Sequence, residues 1–155
     1  MHPLGTLRCR ILVCMGADNP RSAAFFDPPA DQSISKCLYQ HLLRLHQTFA
    51  DDPYSRIFVA AGLLSFGNLA VANEILHYLP RSPIVMDQAA GWCPLVPYEA
   101  LATLLPVPEQ YRNVKRWIEG SAESAAVERW LVEQGERLRW DPAAERFVLA
   151  SPQQC

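Results

Sequence analysis

A chain of 155 residues that is 50% hydrophobic and 19% charged has the material for a core of its own, which excludes disorder throughout. Its formal net charge of −2 and pI near 6.1 provide no global attraction to nucleic acid or to an anionic membrane surface, although a local basic face is compatible with both figures. Five cysteines without a CxxC pair, no leader-like segment behind Arg8 and Arg10, and no long apolar run set the expectation: a cytoplasmic protein with reduced thiols and no membrane span. One domain is expected over 1–155, with frayed tails at 1–5 and 151–155.

Thr6 to Met15, TLRCRILVCM, has the composition of one strand, with Ile11 to Val13 buried on both faces. Cys9 and Cys14 would point to opposite faces of it and cannot simply bridge. From Gly16 to Gln32 the prolines and aspartates forbid regular structure, and loops of such length are more often functional than idle. This loop carries Phe25, Phe26 and Asp27. The adjacent rings are candidate anchors for a protein partner, and folding back onto the core is the competing reading. Asp18, Asp27 and Asp31 do not have the spacing of a calcium loop.

Ser33 to Phe49 predicts an amphipathic helix, with Ile34, Cys37, Leu38, Leu42, Leu45 and Phe49 on one stripe and Asp31 or Ser33 as its cap. Asp51-Asp52-Pro53 ends it. Over Arg56 to Pro80, apolar residues recur at helical spacing on both sides of Gly67-Asn68, which predicts an αα-hairpin. Gly67, Ala72, Leu76 and Leu79, with the small Ala60 in the first helix, give this hairpin a spacing that resembles a tetratricopeptide unit. The resemblance implies a helical scaffold for binding. Arg56 stands where that repeat prefers an aromatic, and one copy is present where about three are needed to bury a core.

Pro80 to Pro97 reads as irregular, with Ile84 to Met86 short enough for an inner strand. Within it PIVMDQAAGWCPLV resembles the active-site strand and turn of thioredoxins, which implies a redox role for Cys93; Val96 holds the place of the second thiol that the chemistry needs. Pro97 opens a predicted helix over Tyr98 to Leu105, and Pro106 and Pro108 break it. Tyr111, Val114, Trp117 and Ile118 predict a further helix ending at Gly120. Ser121 caps a last helix with Val127, Trp130 and Leu131 inward and Gly135 as its stop.

Leu138 to Trp140 and Arg146 to Leu149, joined by Asp141-Pro142-Ala143-Ala144, predict a β-hairpin. Helix, basic strand, turn and strand together resemble the recognition helix and wing of winged-helix proteins, which implies phosphate contacts by Arg137, Arg139 and Arg146. Glu123, Glu128, Glu133 and Glu136 on the helix oppose that reading.

No histidine pair stands at i, i+4, and Gly62 to Gly67 has the glycines of a phosphate loop without its Lys. No metal or cofactor is therefore expected. The expected fold is α+β: a helix-rich single domain with an αα-hairpin, a small sheet and a C-terminal β-hairpin, with an α/β arrangement as the alternative if Ile84–Met86 pairs parallel to the first strand. The favoured function is a non-catalytic protein–protein interaction module, a small adaptor or regulator. A winged-helix-like nucleic-acid binder is the first alternative. The second is a small enzyme or thiol-redox protein with a site among Asp18, Asp87 and Cys93. A homodimer is also open, on the strength of four tryptophans in a short chain.

Overall fold

The computed structural model describes residues 32–82 and 95–151. The fold is α+β and helix-rich. Its α-helices are α1 (Gln32–Thr48), α2 (Pro53–Leu64), α3 (Ala72–His77), α4 (Val96–Leu104) and α5 (Ala122–Gln134), followed by an antiparallel hairpin of β1 (Leu138–Asp141) and β2 (Arg146–Leu149). The expected strands at Thr6–Met15 and Ile84–Met86, and the loop Gly16–Gln32, lie outside the described residues.

The core is built around α2. Asp52 caps its first turn by accepting from the Ser55 amide at 3.3 Å and the Ser55 hydroxyl at 2.6 Å, which holds the Asp52 carboxyl below its ordinary value. Pro53 then supplies the fixed φ of a first helical residue. From Ile57 to Leu64 every residue is buried, the pattern of a helix covered on all sides. α1, α3 and α4 all pack against it. Ala60, Ala61 and Gly62 keep its middle slim, and a Cβ at Gly62 would lie 3.3 Å from Leu42 of α1.

Gly67 and Asn68 divide the work of turning the predicted hairpin. Gly67 takes φ +92°, its amide donates to the Leu64 carbonyl at 3.0 Å, and the Asn68 amide donates to Leu63 at 3.2 Å, the two bonds of a Schellman ending. The Asn68 side chain then accepts from the Ala70 amide at 3.2 Å and starts a 3-10 turn over Leu69–Val71, which runs into α3. The second limb is thus a 3-10 turn followed by a short α-helix.

Arg56, the residue at odds with the repeat-like pattern, has a role in this fold. Its guanidinium donates to Glu74 of α3 and, at 3.1 Å, to the His46 carbonyl of α1; His46 Nε2 lies 2.7 Å from the other Glu74 oxygen. One carboxylate thereby ties together three helices. Glu74→Ala leaves two half-buried donors without their acceptor, and we expect a loss of about 2 kcal/mol by urea denaturation. Glu74→Gln, which retains one acceptor oxygen, should lose less; an unchanged midpoint in both variants would refute a structural role for the clamp.

α4 begins on Leu95, with Pro97 in its first turn, close to the predicted Tyr98–Leu105. Tyr98 donates its hydroxyl to the Tyr78 carbonyl at 2.6 Å, and burial, with Tyr54 nearby, raises its pKa to about 12.

The helix expected over Tyr111 to Ile118 is not formed. In its place stand two 3-10 turns, Glu109–Tyr111 and Val114–Arg116, with Arg112 and Asn113 between them. Asn113 accepts from the Lys115 amide at 3.3 Å, and the buried Trp117 donates its ring N–H to the Tyr111 carbonyl at 2.7 Å. That ring bond cinches seven residues into a strap. Residues at i, i+3 align in a 3-10 turn as they do in an α-helix, so apolar spacing could not distinguish the two.

α5 starts where expected. Ser121 accepts from the Ser124 amide at 3.1 Å, and the buried Ser124 hydroxyl donates to Ile118 at 2.8 Å. The expected stop at Gly135 is different in kind: this residue keeps helical φ of −53°, and the chain tightens into a 3-10 turn over Gly135–Arg137 before β1. In the hairpin Leu138 opposes Leu149 and Trp140 opposes Phe147. Phe147 is buried, and the half-buried Trp140 meets it edge to face. No helix among the described residues is long and apolar enough to cross a membrane.

Candidate functional site

The inner wall of the candidate site is one face of α4. Leu95, Glu99, Ala102 and Thr103 recur at helical spacing and face the strap, whose residues 112–115 form the opposite wall; Arg146 from the start of β2 completes the rim. Together they enclose an open cleft of about 460 Å³. Its floor is apolar, with Leu95, Ala102 and Val114 all buried, and its rim is polar.

Charge distinguishes this cleft. Arg112, Lys115 and Arg146 line it together with Glu99, and Asp141 stands opposite Arg146 in the hairpin register. Other arginines are engaged elsewhere: Arg56 with Glu74, Arg81 with Glu119 and Arg116 with Glu123. Arg112 is steadied by donation from Nε to the Val107 carbonyl at 2.8 Å, which leaves its terminal nitrogens as donors. Asn113 uses its side-chain oxygen on the Lys115 amide, so its NH₂ group remains as a donor.

The predicted basic residues separate. Arg146 lines the cleft. Arg137 instead donates to Gln134 at 2.8 Å and to the Ala150 carbonyl at 3.2 Å, with its Nε buried without a partner. Arg139 donates to the carbonyls of Glu136 and Leu138 at 2.6 and 2.8 Å. Phe25, Phe26, Asp27, Asp18, Asp87 and Cys93 lie outside the described residues. Of the tryptophans, Trp117 is buried, and Trp130 and Trp140 pack half-buried against the core. Among the described residues no group of three or more His, Cys, Asp or Glu side chains is placed to hold a metal ion.

Sequence reasoning missed Arg112, Lys115, Thr103 and Asn113. The run RNVKR at 112–116 was a local signal, a concentration of positive charge in an otherwise balanced chain, but it was absorbed into an expected helix. No family model, characterised protein or solved structure gives a significant match to this chain.

Proposed function

We propose that the protein is a non-catalytic interaction module, a small cytoplasmic adaptor or regulator, and that it engages a protein partner at the basic cleft. The observation that carries this reading is the convergence of three cations, from the strap and from β2, on an open cleft with an apolar floor. Such a surface attracts and orients an acidic partner, since opposite charge steers encounter while buried apolar contact slows release. The cleft offers donors and apolar surface rather than a paired nucleophile and base.

The nucleic-acid reading has weaker support, because Arg137 and Arg139 donate to carbonyls of their own chain and α5 carries Glu123, Glu128 and Glu133. A thiol enzyme would depend on Cys93, and rapid selective alkylation of that residue near neutral pH is its test.

Crosslinking capture from native lysate, with wild type beside Lys115→Glu/Arg146→Glu, tests the main reading. Wild type is expected to retain a specific partner, and reversing two charges should reduce its recovery about tenfold or more. Undiminished capture by a folded double variant overturns the assignment to the cleft. A Phe25→Ala/Phe26→Ala variant run alongside asks whether the aromatic loop is the contact instead.

A further inference from the structure

We infer that α1 is a detachable latch: it opens from α2 as a unit while α2 to α5 and the β-hairpin stay folded, and in opening it bares the Gly62 face of α2. The device is a regulatory one and stands independently of what the cleft binds.

The apolar joint is narrow. Among the described side chains of α1, which begin at Leu38, Leu42 is fully buried, whereas Leu38, Tyr39, Leu43 and Leu45 are half-buried. Leu42 rests in the notch that Gly62 leaves in α2. By contrast, every residue from Ile57 to Leu64 of α2 and seven of the nine residues of α4 are buried. The free energy of opening an element grows with the apolar surface it buries, so a helix seated through one leucine opens before the helices around it.

The polar joint is wet. His46, Arg56 and Glu74 meet at one carboxylate, yet their side chains keep 17%, 27% and 19% of their surface in solvent. Tyr39 adds an edge contact to Phe66, 6.0 Å between ring centroids, and accepts from Asn68 Nδ2 at 3.3 Å. Groups already touching water are rehydrated readily when a helix lifts, whereas a fully buried ion pair resists separation.

A hinge lies between the two helices. Ala50, Asp51 and Asp52 are exposed. The Asp52 cap acts on Ser55, wholly on the α2 side, so the first turn of α2 keeps its side-chain bonds whether α1 is seated or not. α3 and α4 continue to hold α2 from its other sides.

Native-state hydrogen exchange of the full chain tests the latch, followed amide by amide by NMR in a series of urea concentrations below the unfolding transition. Amides 41–45 of α1 are expected to exchange about a hundredfold or more faster than amides 59–64 of α2 and 100–104 of α4, and to share one urea slope smaller than the global one. Leu42→Ala should speed their exchange about tenfold or more, and Glu74→Gln about threefold or more, with the amides of α2 and α4 still protected. Three results overturn the latch. Merging of the α1 amides with the global exchange isotherm shows one cooperative unit. A slope near zero, with rates that differ from residue to residue, shows fraying within α1 rather than its release. A Leu42→Ala variant with no protected amides in α2 or α4 shows that the remaining fold does not stand without α1.

Discussion

Gly67→Ala is expected to destabilise the protein by about 3 kcal/mol, from two costs that add. Gly67 sits at φ +92°, where an L-residue with a Cβ loses about 1–2 kcal/mol. The new methyl group would also lie 2.7 Å from Trp140 Cγ and 2.9 Å from Cδ2, closer than carbon atoms tolerate. The indole cannot simply withdraw, because it also packs edge to face on the buried Phe147, 5.1 Å between ring centroids. Overpacking of this kind costs typically about 1–3 kcal/mol. The measurement is urea denaturation followed by tryptophan fluorescence, with Trp140→Leu and the double variant alongside. If the clash contributes, the double variant loses less than the sum of the two single changes. A loss below about 1 kcal/mol for Gly67→Ala would refute both the turn conformation and the close approach. The contact matters to the architecture because it seats the β-hairpin against the end of α2, and β2 carries Arg146 into the cleft.

Trp117→Ala is expected to cost about 4 kcal/mol, within the range for emptying a large aromatic site. The side chain is 1% exposed, and its ring N–H is the donor that closes the strap onto the Tyr111 carbonyl. Against a typical stability of about 5–15 kcal/mol, this change leaves the fold marginal. Trp117→Phe keeps most of the buried ring and removes the N–H, so it isolates the strap closure from the cavity. We expect the Phe variant to lose about 1–2 kcal/mol and to remain folded. Because Arg112, Asn113, Val114 and Lys115 all lie between Tyr111 and Trp117, the Phe variant should also loosen the cleft wall and weaken capture of a partner there. Loss of stability without loss of binding would show that the strap does not need its ring bond to present its cations.

Much of the fold could be read from the residues because its signals are local. Asp52 and Ser121 are caps acting within three residues of themselves; Ser121 starts its helix where expected, and the helical pattern read from Arg56 begins three residues earlier, at Pro53. Gly67-Asn68 turns the chain with bonds confined to a few neighbouring residues. Period-two apolar spacing with an Asp-led turn defined the β-hairpin: Asp141 accepts from the amides of Ala143 and Ala144 at 2.9 and 3.2 Å, as such turns do. Gly135 was less legible, because a glycine after a helix is equally compatible with a left-handed stop and with a tightened last turn.

The candidate site was legible only in part. Arg146 stood out as a basic residue on a strand, but its natural company in the sequence was Arg137 and Arg139, which donate to their own chain. Its company in space is Arg112 and Lys115, more than thirty positions earlier. No periodicity connects residues so far apart, because spacing reports only which face of one element a residue occupies.

By itself, then, the sequence determined the helix-rich α+β class, the capped start of α5, the hairpin turn at Gly67 and the terminal β-hairpin. Each depends on backbone dihedral preferences and on hydrogen bonds closed within a handful of residues. The tertiary structure decided two things. It made residues 109–118 a strap rather than a helix, because burial of the Trp117 ring brings its N–H to the Tyr111 carbonyl, a bond that apolar spacing does not announce. It also gathered Arg112, Lys115 and Arg146 around one cleft, because that convergence follows from how α4, the strap and β2 pack, a property of the assembled core rather than of any single segment.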